Sequence, residues 1–398
     1  MVSSVEEVSM FFTNDQLFIS RFKHILPAVV LLLLAVLLVT GISPTSAVGL
    51  MTYVDAASGK DVGDCSNPAA PCLTINYAIG QTVDGSYIAV AGGEYVENVK
   101  LTDGFNRTIR GGYTNDAGEW KTEPFDPWVN PTIINGNNVD STIEIRNHTD
   151  TIIDGVTIKG GKGLNDPTFG NGCGGLKIQS SDVDIVQSAI SGNDGGTGEG
   201  GALCAAGDDG KMSLLIESTI VEGNRANVAG AFSLFNTTTT IVNSLIMDNK
   251  SNSNYANVMT LLQDDDVWVV NSTIAYNNPT GDQAVDITSG KLTVQNSIMW
   301  HNSLNLQATP PCPTCFDVSY SNIEQTTVGT GNINKDPMFR DPANFDLQLK
   351  ANSPCIDAGT AVDAPLKDID GTPRDAKPDM GAYEWVPPIV YLPVVLDK

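Results

Sequence analysis

One short segment recurs through the middle of the chain, and it restricts the fold more than any other feature. Six copies align: Ile185-Val-Gln-Ser-Ala-Ile190, Leu215-Ile-Glu-Ser-Thr-Ile220, Ile241-Val-Asn-Ser-Leu-Ile246, Val269-Val-Asn-Ser-Thr-Ile274, Val294-Gln-Asn-Ser-Ile-Met299 and Val318-Ser-Tyr-Ser-Asn-Ile323. An earlier version reads Ile153-Asp-Gly-Val-Thr-Ile158. The serines Ser188, Ser218, Ser244, Ser272, Ser297 and Ser321 stand 30, 26, 28, 25 and 24 residues apart. A period near 25 residues suits one coil of three short strands, with the scatter absorbed by loops. A second apolar run precedes each copy, as in Gly174-Gly-Leu-Lys-Ile178, Gly230-Ala-Phe-Ser-Leu234 and Ala284-Val-Asp-Ile287. The third strand is expected in the variable stretch after the repeated isoleucine.

One such coil cannot bury its apolar positions alone. Stacked coils pair strand on strand ~4.8 Å apart and share a continuous interior. Propeller blades need ~40 residues and four strands, and leucine-rich repeats need regularly spaced leucines, so neither fits. The expected fold is therefore all-β, a single-stranded right-handed parallel β-helix over residues 50–385. Asn193, Asn224, Asn249, Asn277 and Asn302 follow the repeated apolar positions. Stacked coils would bring these amides into a ladder, a structural role. Open solenoid ends expose strand edges and need caps. The apolar spacing in Cys72-Leu-Thr-Ile-Asn-Tyr-Ala-Ile79 predicts a capping helix at the start, and Ala343-Asn-Phe-Asp-Leu-Gln-Leu349 reads as a final strand.

Residues 1–47 read as a targeting segment. Arg21, Lys23 and His24 precede an apolar run from Ile25 to Val39, and Thr45-Ser46-Ala47 offers a cleavage site. The run is almost long enough to remain as an uncleaved membrane anchor. Either way the rest is expected outside the cytoplasm, secreted or at the cell surface. Residues 386–398 form an apolar, proline-broken tail too short to span a bilayer. Seven cysteines suit an oxidising compartment. Cys65 and Cys72 bracket a short loop that a bridge would pin. Cys173 and Cys204 lie one coil apart and could pair. Cys312 and Cys315 form either a local bridge or two free thiols, and Cys355 is left over as a small buried hydrophobe.

With 46 acidic and 22 basic residues the formal charge is −24. Such a surface repels phosphate backbones, so nucleic acid is not an expected partner. It also repels acidic polysaccharides unless cations bridge them. The chain is expected to be a monomer.

The opening Tyr53-Val-Asp, Pro71-Cys-Leu-Thr-Ile and Gly92-Gly-Glu-Tyr-Val-Glu97 resembles the start of secreted pectate-lyase-like β-helix proteins. The close, Ser353-Pro-Cys-Ile-Asp-Ala-Gly359 with Asp370-Gly371, Arg374 and Asp379-Met-Gly-Ala-Tyr-Glu384, resembles the bacterial choice-of-anchor Q family. The Gly-Gly-Ala strands are similar to chlamydial polymorphic outer-membrane protein repeats. The resemblance implies a secreted or surface-attached protein and brings no catalytic motif with it. The arginine motif of lyases of this fold has no counterpart here, nor do the Gly-His-Gly and Arg-Ile-Lys motifs of its polygalacturonases.

Two features could bind a ligand. Asp208-Asp209 and Asp264-Asp265-Asp266 fall in turns two coils apart, where turn chemistry is the plain reading and calcium binding the sharper one. Two residues past each repeated apolar position stand Glu222, Asp248, Tyr276, His301 and Gln325, with Trp300 beside them. If the register holds, they form one row of carboxylates, aromatics and an imidazole, as a sugar-binding face requires. Glu222 and Asp248 would then lie one coil apart, near the ~5 Å of a retaining glycosidase pair. The expected function is an adhesin-like or carbohydrate-binding role for a polysaccharide or cell-surface glycan, with no cofactor required. A polysaccharide lyase or glycoside hydrolase and a structural envelope protein are the alternatives.

Overall fold

The computed structural model describes residues 50–387 apart from 117, 122–127, 165–171, 209, 254, 279–282, 303–305 and 326–327. The targeting segment, most of the tail and Asp209 therefore lie outside the described residues. The body is a right-handed parallel β-helix whose coils each add one strand to three parallel sheets. The first sheet runs from Met51–Val54 through Val183–Val186 and Thr237–Val242 to Phe316–Ser319. The second runs from Gly93–Val96 through Ala189–Ser191 and Leu245–Met247 to Asn322–Ile323, and the third from Val99–Leu101 to Leu306–Ala308. Alternate residues of each strand point inward. Ile109, Ile153, Ile185, Ile216, Ile241, Val269 and Val294 thus form one fully buried row.

The repeated hexapeptide is not one strand. It spans a corner: Val183–Val186 belongs to the first sheet, Gln187 and Ser188 turn the chain, and Ala189–Ser191 belongs to the second. The missing third strand was thus inside the repeat, not after it. Gln187, Ser218, Asn243, Asn271, Asn296 and Tyr320 hold this corner in the left-handed region, with φ between 44° and 51°. The next residue inward is a hydroxyl that takes the backbone N–H of the preceding coil. Thr219 Oγ1 accepts from Ser188 at 3.4 Å, Ser244 Oγ from Thr219 at 3.2 Å, and Ser272 Oγ from Ser244 at 3.1 Å. Thr219, not Ser218, occupies the row. The coil at Ile216–Val221 therefore sits one residue later than the sequence match placed it, with Ile216 opposite Ile185 and Val221 opposite Ile190. The match could slide because Leu215 and Ile216 are both apolar, as are Ile220 and Val221, and Ser218 and Thr219 both carry a hydroxyl.

The asparagine ladder is present. Asn193, Asn224, Asn249, Asn277 and Asn302 are all buried. From Asn193 to Asn277, each sends its backbone N–H and its side-chain Nδ2 to the Oδ1 of the next, at 3.0–3.1 Å. Nδ2 also donates to a carbonyl one coil back, Ile190 for Asn224 and Val221 for Asn249. Donors and acceptors are matched without water, which is what burying an amide requires.

Both ends are closed. The helix Ile75–Gln81 buries Ile75, Ala78 and Ile79 over the first coils, and Thr74 caps it by accepting from Tyr77 N. At the far end side-chain amides stand in for further strands. The Gln325 amide accepts from Leu306 N at 3.1 Å, and Asn332 Nδ2 donates to Val318 O at 2.8 Å. The expected final strand is shorter and of another kind: Asp346–Leu349 pairs antiparallel with Phe339–Asp341 around a 3-10 turn at Pro342–Asn344. Bridges join Cys65 to Cys72, Cys173 to Cys204 and Cys312 to Cys315, while Cys355 is free and buried. No described helix is long and apolar enough to cross a membrane.

The ladder generates a test. Asn249→Ala removes the acceptor of both Asn224 donors and one donor from the carbonyls of Val221 and Met247. Asn224 Nδ2 keeps Ile190 O and Met247 O keeps Gly223 N, so the cost centres on the buried Asn224 N–H, at about 1–3 kcal/mol for an unsatisfied group. A fall in the melting midpoint of roughly 3–5 °C is expected. Asn252→Ala, at an exposed position, should leave it unchanged within about 1 °C. Equal effects from the two would remove the ladder as a source of stability.

Candidate functional site

The second corner of each coil lies just before the ladder asparagine, and the ladder makes it turn sharply. Gly192, Gly223, Asp248, Tyr276 and His301 occupy it at φ between 53° and 62°. Glycine suits that region, whereas a side chain there costs roughly 1 kcal/mol or more. The sequence row is therefore correct for Asp248, Tyr276 and His301 and wrong at its two ends. Glu222 pairs with Met247 and Ser191 inside the strand row, which Ala275 and Trp300 continue. The one-residue shift of that coil is the reason. Gln325 is committed to the edge of the third sheet through Leu306.

The outer face of the second sheet is not open along its length. Residues beyond Gly329 fold back over it and form a second apolar cluster in which Phe339, Leu347, Leu349, Cys355 and Met380 cover Met247, Ala275 and Ile298. Corner asparagines hold this segment by its backbone. Asn243 Nδ2 donates to Lys367 O at 2.6 Å, Asn271 Nδ2 to Asp379 O at 3.2 Å and Asn296 Nδ2 to Thr360 O at 2.7 Å. The closing motif is the internal frame of the segment. Arg374 is buried against Glu384 at 3.1 Å and also donates to Asn243 Oδ1 and to the carbonyls of Gly381 and Ala382. Asp379 accepts from Asp357 N at 2.8 Å and Trp385 N at 2.6 Å, and burial pushes its carboxyl up to about 7. Asp368 accepts from the backbone of Asp370, Thr372 and Glu384.

Where the segment meets the corner row, a groove of about 290 Å³ opens. Tyr276 and Trp300 come from the β-helix, and Asp336, Met338, Phe339, Pro342 and Lys350 from the segment. The Tyr276 ring lies 5.0 Å from His301 and 6.3 Å from Phe339. Both groove aromatics are half-buried, and Lys350 and Asp336 are exposed at the rim. His301 is exposed beside them and its N–H donates to Glu324 at 2.5 Å. Lys350, Asp336 and Phe339 escaped sequence reading because they lie in or beside an antiparallel hairpin that carries no repeat signal. Glu222 is half-buried next to Met247, and burial together with the charge of Asp248 lifts its carboxyl; burial lifts Asp248 too.

Of the acidic groups, Asp208 and Asp264 lie in turns, whereas Asp265 and Asp266 open the strand Asp265–Val270 of the first sheet, and all of them have partners within the chain. Asp265 is fully buried and accepts from Thr237 N, Thr237 Oγ1, Leu262 N and Gln263 N at 2.8–3.2 Å, while burial pushes it up to about 6. Lys211 lies 2.5 Å from Asp266 and 3.5 Å from Asp264, and Asp208 accepts from Gln179. Among the described residues no group of three or more His, Cys, Asp or Glu is placed to hold a metal ion.

No family model and no curated protein matches the chain. Similar solved structures are a pectin methylesterase in complex with a hexasaccharide, the pectin methylesterase of Aspergillus niger and a pectate lyase. The first is 13% identical with a TM-score of 0.43, over 70% of this chain and 90% of that one. The second is 12% identical at 0.42, over 73% and 86%, and the pectate lyase 13% at 0.43, over 84% and 96%.

The most strongly raised carboxyls, Asp379 and Asp265, fix the sign of a pH effect. Asp379 and Asp265 keep a proton in the folded state, up to about pH 7 and 6, that the unfolded chain releases near 4. Their stabilising contribution is complete below the unfolded value and is lost as pH rises through the folded ones. Stability should fall by a few kcal/mol, in order of magnitude, between pH 5 and 8. Chemical denaturation at several pH values measures it. Asp379→Asn should flatten the part of the profile between about pH 5 and 7, and an unchanged slope would contradict the assignment.

Proposed function

We propose that this is an exported, secreted or cell-surface β-helix that binds a neutral polysaccharide at the Tyr276–Trp300 groove without transforming it. The observation that carries the reading is Tyr276 itself. The corner needs left-handed backbone, yet a large aromatic stands there, half-exposed in a groove with Trp300. Backbone strain at such a position points to a use for the side chain. Two rings offer stacking area for sugar faces, and Lys350 and Asp336 can bond hydroxyls from opposite sides. Their opposite charges, within a chain of net −24, favour a neutral chain over an acidic one. Calcium would enter only as a bridge to acidic sugars. Export is supported by the three bridges, which persist in oxidising compartments.

A hydrolase reading rests on one pairing, Glu222 in the strand row opposite Met247 and Asp248 at the corner that follows Met247, where the charge of Asp248 adds to burial in raising the Glu222 carboxyl. A glycan array followed by calorimetry separates the possibilities. The expected result is binding to a neutral polysaccharide, weakened at least about tenfold by Trp300→Ala beyond any loss of folded protein. Lys350→Ala, at an exposed site, should weaken binding less and leave the melting midpoint unchanged. Product release by the native chain that stops in Glu222→Gln would replace this reading with the hydrolase. An array without a single bound glycan would leave a structural envelope role.

A further inference from the structure

The covering segment encloses a second cavity, of about 250 Å³, away from the groove. Buried Leu349 contributes an apolar patch, Tyr383 and Trp385 supply half-buried rings, and Arg340, Gln348, Asp370 and Thr372 supply polar groups. These polar groups are held in a chain. Arg340 Nε donates to Asp346 at 2.9 Å and its Nη1 to Gln348 Oε1 at 2.5 Å, and Gln348 Nε2 donates to Asp370 Oδ2 at 3.0 Å. The remaining carboxylates of the lining are spent inside the segment, Asp368 on three backbone N–H groups and Glu384 on Arg374. Asp370 is different. Its residue surface is open to solvent while its carboxyl is partly desolvated against the lining, which together with the neighbouring Asp368 raises it, and the Gln348 side chain is its one side-chain donor among the described residues.

We propose that this cavity takes a single neutral sugar residue, stacked on Trp385 and Tyr383 and hydrogen-bonded through its hydroxyls to Asp370, Gln348 and Arg340. Size fits the occupant: 250 Å³ is the space of about eight waters at ~30 Å³ each, room for one sugar ring. Chemistry limits it further. Aromatic walls and a patch of leucine suit the apolar face of a pyranose, and a carboxylate, an amide and a guanidinium placed at the rim suit its hydroxyl edge. Charge excludes acidic sugars and phosphates, because one arginine faces Asp368, Asp370 and Glu384. The site rests on the carbohydrate reading for its ligand class but not on the Tyr276–Trp300 groove.

The chain has five tryptophans, so 5-fluorotryptophan labelling gives five resolvable 19F signals, assigned with Trp385→Phe and Trp300→Phe. The labelled protein is titrated with the methyl glycosides of glucose, galactose, mannose, xylose and galacturonic acid. At least one neutral glycoside should move the Trp385 signal saturably, with the Trp300 signal still. The galacturonide should not move it. Asp370→Asn, at an exposed position that does not threaten folding, should weaken the neutral glycoside at least about tenfold. The proposal is overturned if no neutral glycoside moves the Trp385 signal, if Asp370→Asn binds as the native chain does, or if the galacturonide binds more tightly. Failure of oligosaccharides to move the Trp300 signal would count against the groove alone.

Discussion

Register in this molecule is set by buried amides. A stack of short parallel strands with apolar interiors could slip along its axis, because one isoleucine packs on another about as well as on a valine. An asparagine ladder cannot slip in this way. Each amide has an acceptor for the two donors of the coil before and a carbonyl for its own N–H, and a displaced coil would bury several of these groups unpaired. Such groups cost more unpaired than they contribute paired. The ladder also dictates the residue just before it, which must enter the left-handed region. The direction in which Asp248, Tyr276 and His301 leave the solenoid thus follows from a row of buried asparagines.

A second use of asparagine attaches the C-terminal segment. At the other corner Asn243, Asn271 and Asn296 turn their amides outward and bond its backbone. These bonds read position, not side-chain identity, so the segment keeps its seat through its own internal frame. That frame explains the closing motif without chemistry. Arg374, Glu384, Asp379 and Asp368 bond one another and the backbone around them, and Ser353 fixes Pro337 and Cys355 N.

What was readable in the sequence were features with a period. The coil, the ladder and the pairing of cysteines one coil apart all follow from spacing. The match slipped only at Leu215–Ile220, where neighbouring residues are chemically interchangeable and a stretch of six cannot tell one register from the next. That slip moved Glu222 out of the row of Asp248 and Tyr276. The αL corner inside the hexapeptide was hidden as well, since asparagine, serine, glutamine and tyrosine all occupy it. Non-periodic parts were hardest. The antiparallel hairpin at Phe339–Leu349 and the rim residues it supplies have no partner copy to align with. Gln325 had the spacing of a site residue and the role of a strand edge.

The groove consequently belongs to two parts of the molecule at once. Tyr276 and Trp300 are placed by the solenoid, while Asp336, Phe339 and Lys350 exist at that place only while the segment is seated. Anything that weakens the seat must remove one wall of the groove. Anything that fills the groove must favour the seated state, by the ordinary rule that a ligand stabilises the form it binds. Burial of Asp379 ties the same seat to pH. Any ligand of the groove, pH and the stability of the segment would therefore be linked through how firmly a row of corner asparagines holds a length of backbone.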